Sequence, residues 1–192
     1  MPAGRRPGKP DTKAEILEAA RTEFAASGYN GASIRGIARC AEVDPSLVLH
    51  YFESKELLFT ESLALPINPA SMIRPVLADL SPGIGERLVR MMLTAWDSEE
   101  AQEPLKAVIR SIFAADAMES TVVEFARATI LAAFADALDG PEAELRGNLV
   151  AAHIVGIIVA RYLVGVEPLA SASIDDVATQ VGPVLEAYLL PS

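Results

Sequence analysis

Residues 33–55 gather side chains suited to phosphates and base edges. Ser33, Ser46 and Lys55 can donate to phosphate oxygens, the serines from points where helix N-termini also turn backbone N–H groups outward. His50 is a candidate base or phosphate contact, with Leu47 and Leu49 beside it. A leucine cannot hydrogen-bond, but it can meet a thymine methyl. Upstream, Arg5, Arg6 and Lys9 lie in a tail whose first 13 residues carry a net +3, an arm able to enter an adjacent minor groove. Other chemistries find little support. His50 and His153 make no sequence-local metal pair. The single cysteine, Cys40, excludes an intramolecular disulfide and a multi-cysteine zinc site, and reads as a small buried hydrophobe. There is no glycine-rich phosphate loop and no Gly-x-Ser-x-Gly elbow, so neither an enzyme nor a cofactor is expected.

Helices must hold these groups. The 192 residues include 32 alanines, helical periodicity recurs almost throughout, and no stretch sustains β alternation, so the expected fold is all-α. After a Gly/Pro/Arg tail over 1–10, helix one opens at Thr12, with Glu15 completing a capping box. It turns Ile16, Leu17, Ala20 and Phe24 inward and ends at Gly28. Ser33 caps helix two, Asp44 with Pro45 behind it caps helix three, and Ser54 caps helix four, which runs to about Leu65. Only Ala41-Glu42-Val43 separates helices two and three. That is the spacing of a helix-turn-helix whose second helix enters a major groove, with Val48 and Phe52 facing the core. Further helices are expected over 69–79, 83–97, 102–117, 119–138, 142–164 and 173–190, the last kinked at Pro183.

Gly28-Tyr29, Ser33-Ile34-Arg35-Gly36-Ile37-Ala38, Ala41-Glu42-Val43 and Tyr51-Phe52-Glu53-Ser54-Lys55-Glu56-Leu57 agree in register with one pattern. Residues 11–60 closely resemble the TetR (tetracycline-repressor) family. The run 160–185 is similar to one actinobacterial subgroup. The resemblance implies a homodimeric repressor with a DNA-binding domain over 11–53 and a helical effector-binding and dimerisation domain over 54–192. Its partners would be a pseudo-palindromic double-stranded DNA operator and a small-molecule effector that releases it. DNA contacts carry over to Ser33, Arg35, Ser46, His50, Tyr51 and Lys55. Glu42 stands where the family usually has glycine, and Leu49 where tyrosine is frequent. The alternative is a helical protein-interaction module that keeps this fold without sequence-specific DNA binding.

The net charge of −10 is unevenly placed. Residues 1–60 balance 8 basic against 8 acidic side chains, so all of the excess lies in residues 61–192 and only the first part tolerates phosphates. A chain with 51% hydrophobic residues is globular and buries about 70% of its unfolded surface. The longest apolar run, 149–160, falls short of the about 20 residues of a membrane span, and residues 1–10 have no apolar core. A cytoplasmic protein without a membrane partner is expected. Met91, Met92, Trp96, Phe113 and Phe125 recur at helical spacing as candidate walls of a largely apolar effector pocket, with Arg127 and His153 as polar anchors. Ala152, Gly156 and Ala160 repeat every four residues, a small-residue face for a dimer contact with Val177, Val181 and Val184 of the last helix.

Overall fold

The computed structural model describes residues 12–65, 67–114, 121–140 and 142–190, and every regular element among them is helical. The head comprises α1 (Thr12–Gly31), α2 (Ile34–Cys40), α3 (Pro45–Phe52) and α4 (Lys55–Ser62). Its caps fall where the sequence puts them. Ser33 Oγ accepts from the Gly36 amide at 3.0 Å, Asp44 Oδ1 from the Ser46 amide at 2.8 Å, and Ser54 Oγ from the Leu57 amide at 3.1 Å. Ile16, Ala20, Phe24, Ile37, Val48 and Phe52 form the core, joined by Leu58 and Phe59 of α4. Glu42 adopts a left-handed φ of 53°, costing roughly 1 kcal/mol. The turn tolerates this because Val43 N–H still reaches the Ala38 carbonyl at 2.9 Å.

Gly28 does not end the first helix. It breaks it, with φ 68° and ψ 175°, and one more turn follows to Gly31. The positive φ favours glycine, and a Cβ there would also push aside the Glu124 carboxylate, 2.8 Å away. Cys40 is exposed rather than buried, its Sγ 3.9 Å from Glu23 Oε2. The short α2 spends its inward face on Gly36, Ile37 and Ala38.

The body comprises α5 (Pro69–Leu77), α6 (Ile84–Trp96), α7 (Glu99–Ala114), α8 (Thr121–Ala126), α9 (Ala132–Ala137), α10 (Ala143–Ile158) and α11 (Ile174–Leu189). π-helical turns, Arg127–Leu131 and Val159–Val164, follow α8 and α10. The first falls inside the helix expected over 119–138 and the second at the end of that expected over 142–164, and each shifts the phase of the side chains beyond it. Helices α6 and α11 touch backbone to backbone, since a Cβ on Gly85 would run into the Gly182 carbonyl. Helix α11 continues through Pro183. Pro183 and Thr179 lie on its exposed side, where water can serve the carbonyl left without a donor.

The apolar run 149–160 lies within a longer helix, Ala143–Val164, whose 22 residues are long and apolar enough by length and composition to cross a membrane, with a mean hydropathy of 1.7. It is tied to the body by arginines. Arg146 donates to the carbonyls of Tyr188 and Asp139, and Arg161 to those of Leu169 and Ala172.

Candidate nucleic-acid interface and effector cavity

Val48 and Phe52 turn α3 onto the core, so the opposite face meets solvent. That face carries Ser46, Leu49, His50 and Tyr51, with Leu47 half-buried at its edge. The His50 and Tyr51 rings meet edge to face at 5.6 Å. Ser33 and Arg35 are exposed at the start of α2. Two of the expected phosphate donors already have partners. The Ser46 hydroxyl and amide both donate to Asp44 Oδ1, at 2.5 and 2.8 Å, and the hydroxyl bond above all holds the Asp44 carboxyl below its ordinary value. Lys55 folds back to sit 4.6 Å over the Tyr29 ring, with Nζ 3.5 Å from the Asn30 carbonyl. Burial there lowers its pKa, against the raising influence of Glu124. Arg5 and Arg6 lie outside the described residues.

In the body, a cavity of about 200 Å³ opens between α5, α6, α7, α8 and α10. Met91, Met92, Trp96 and Phe125 line it, as does Phe134. Every described lining residue is Leu, Ile, Val, Met, Ala, Pro, Phe or Trp. Phe113 falls in α7, but its side chain lies outside the described residues. Neither expected polar anchor lines the cavity. Arg127 is exposed, because two residues beyond Phe125 is about half a helical turn away. His153 is on the outer face of α10. Its Nδ1 is 2.9 Å from the Leu149 carbonyl and its ring 5.4 Å from that of Tyr188.

That outer face is a shallow groove in which Ala152, Gly156 and Ala160 line up with Leu149, His153, Ile157 and Leu169. A Cβ on Gly156 would meet open space, so its smallness serves no contact among the described residues. The close helix contact inside the subunit belongs instead to Gly85 and Gly182, glycines within helices that sequence reasoning passed over. Val184 is 45% exposed and Val181 half-buried, whereas Val177 is buried within the subunit against the body's core.

Sequence reasoning also missed the link between cavity and head. Phe125 lines the cavity and packs into the head core, its ring 5.1 Å from Tyr29 and 4.8 Å from Phe59. Leu63 and Val122 are likewise shared. Beside Phe125, Glu124 accepts from the Asn30 amide at 2.9 Å, and Thr121 Oγ1 donates to the Phe24 carbonyl at 3.4 Å. No local pattern announces a carboxylate that meets an amide 94 residues away.

A helix-turn-helix head joined through shared side chains to a helical body with an apolar cavity is the architecture of a class of DNA-binding regulators. Residues 16–61 match the profile of the bacterial regulatory proteins of the tetR family, and residues 83–189 that of the tetracyclin repressor-like C-terminal domain. The chain belongs to the TetR family and is a transcriptional regulator of that kind. A TetR-family regulator from Streptomyces coelicolor A3 is 38% identical over 97% of this chain and 99% of its own, with a TM-score of 0.49. The multidrug binding protein EbrR, solved with proflavin, is 18% identical over 93% of this chain and 99% of its own, with a TM-score of 0.52, which shows the shared fold. No protein of curated function matches.

Proposed function

We propose that the protein is a homodimeric repressor in which α3 of each subunit reads a major groove and an effector in the body cavity releases the operator. The operator would be a pseudo-palindrome with half-sites about 34–36 Å apart, or a multiple of that. Ser33, Arg35, Ser46, Leu47, His50, Tyr51 and Lys55 would form the contact surface, with Arg5 and Arg6 reaching the minor groove. Ser46 and Lys55 would exchange their present partners for phosphate.

The observation that carries the coupling is the shared wall of Leu63, Val122 and Phe125. An occupant that displaces Phe125 presses on Tyr29 and Phe59, and so on the head. Release then requires only that the effector bind one head position better than the other. Helix α4 would carry this motion together with α8. EbrR, of the same fold and solved with proflavin, supports reading the cavity as an effector site.

Dimerisation is supported by the apolar outer groove of α10 around Gly156 and by the exposed Val184 on α11. A second copy would cover this face isologously, and apolar surface of that extent is otherwise rare on a monomer.

Selection from a random duplex library at two salt concentrations tests the reading. An enriched pseudo-palindrome is expected, with affinity falling steeply as salt rises. No enrichment by folded protein would turn the reading to a protein-docking module. The mixed face of α3, with Ser46 and His50 between Leu49 and Tyr51, is not the wholly apolar surface such a module needs.

A further inference from the structure

The cavity's wall is as informative as its location. Its described wall offers one polar side-chain atom with a strong hydrogen-bonding role, the indole N–H of Trp96. The described acids of the surrounding elements are committed elsewhere or, like Glu99, Glu100 and Glu144, face solvent. Glu124 turns away to the Asn30 amide, Asp97 accepts from the Tyr162 hydroxyl at 2.7 Å and pairs with Arg161, and Glu56 holds Asn68 and Arg74. The cations are committed too, or face solvent. Arg90 pairs with Glu86 and Asp175, Lys106 with Glu103, and Arg127 and Arg110 are exposed. Among the described residues, a charged occupant would therefore be stripped of water with no counter-charge in reach.

We infer that the cavity takes a neutral, hydrocarbon-like ligand and rejects both organic cations and carboxylates. This rests on reading the cavity as the effector site. Its volume of about 200 Å³ exceeds the roughly 150 Å³ of a dry apolar cavity that binds benzene, so the occupant has about the bulk of a substituted benzene ring. Met72, Met91 and Met92 supply unbranched, polarisable walls that adapt to its shape.

Trp96 is the only tryptophan in the chain and lines the cavity, so its fluorescence reports occupancy. The full-length protein is titrated with tert-butylbenzene, with phenyltrimethylammonium, which has the same shape and one positive charge, and with benzoate. Calorimetry of each titration accompanies the fluorescence. The expected result is saturable binding of tert-butylbenzene at least 100-fold tighter than of either ion. Equal or tighter binding of the cation or the anion overturns the inference, and so does failure of all three to bind folded protein. Ala95→Leu adds apolar bulk to the wall without adding charge. It should weaken tert-butylbenzene binding at least tenfold while leaving the Tm unchanged or higher. An unchanged affinity would place the ligand elsewhere and overturn the inference. None of these titrations involves DNA. Cation preference with intact operator selection would sink the ligand class alone, whereas failed operator selection with tert-butylbenzene bound would sink the regulator reading alone.

Discussion

Asp44 illustrates how one side chain serves two ends. As the cap of α3 it ties up the amide and hydroxyl of Ser46, a proposed phosphate contact. Its folded pKa lies below the ordinary 3.8. The contribution of the ionised cap is therefore fully present above pH 3.8 and is lost as pH falls through the lower folded value. Thermal melts across the acid range should show Asp44→Asn with a flatter loss of stability below pH 3.8 than the parent, and parallel curves would show that the cap carries no such linkage. Gly85 is a residue of the opposite kind, defined by what it lacks. Gly85→Ala would force α6 away from the Gly182 carbonyl, and urea unfolding should register a loss of about 3 kcal/mol. A loss below 1 kcal/mol would mean the helix pair relaxes freely.

At the scale of the element, the proposal has α3 read and α8 transmit. His50→Ala should alter sequence preference at one operator position by about 1–3 kcal/mol, seen as a changed base frequency in library selection. A uniform loss across variants would remove His50 from base contact. Lys55→Ala should reduce the slope of log affinity against log salt by about 1, and an unchanged slope would mean Lys55 stays with Tyr29 and Asn30 in the complex. For α8, Phe125→Leu keeps apolar volume but loses the edge-to-face contact with Tyr29. The variant should still bind operator, while tert-butylbenzene, bound by the cavity, no longer releases it. Release at the parent's ligand concentration would leave the coupling to Leu63 and Val122.

At the scale of the whole molecule, the open question is what covers α10. Its outer groove is apolar, its glycine meets nothing, and Val184 of α11 stands exposed. Gly156→Glu places a charge in the middle of that face without touching the subunit's own packing. Sedimentation should show the parent as a dimer and the variant as a folded monomer with much weaker affinity for a two-half-site operator. A variant that stays dimeric would move the interface off α10. The charge division fits the proposed assembly, in which the neutral first 60 residues would approach DNA and the acidic remainder would be held away from it.

The sequence by itself determined the head. Its caps, its turn and its core periodicity are local signals, and Ser33, Asp44, Ser54, Val48 and Phe52 all do in the fold what their spacing predicts. It also determined that the body would be helical. Tertiary structure alone decided which side of each body helix faces the cavity, the core or the outer groove. Periodicity reports that a residue is apolar on one face of a helix, not what that face meets. Phe125 and His153 looked like equal pocket candidates, yet one joins cavity to head and the other lies outside. The π turns after α8 and α10 shift phase where no glycine or proline marks a break. The meeting of Gly85 with Gly182, and of Glu124 with Asn30, depends on chain segments distant in sequence coming together, which only packing brings about.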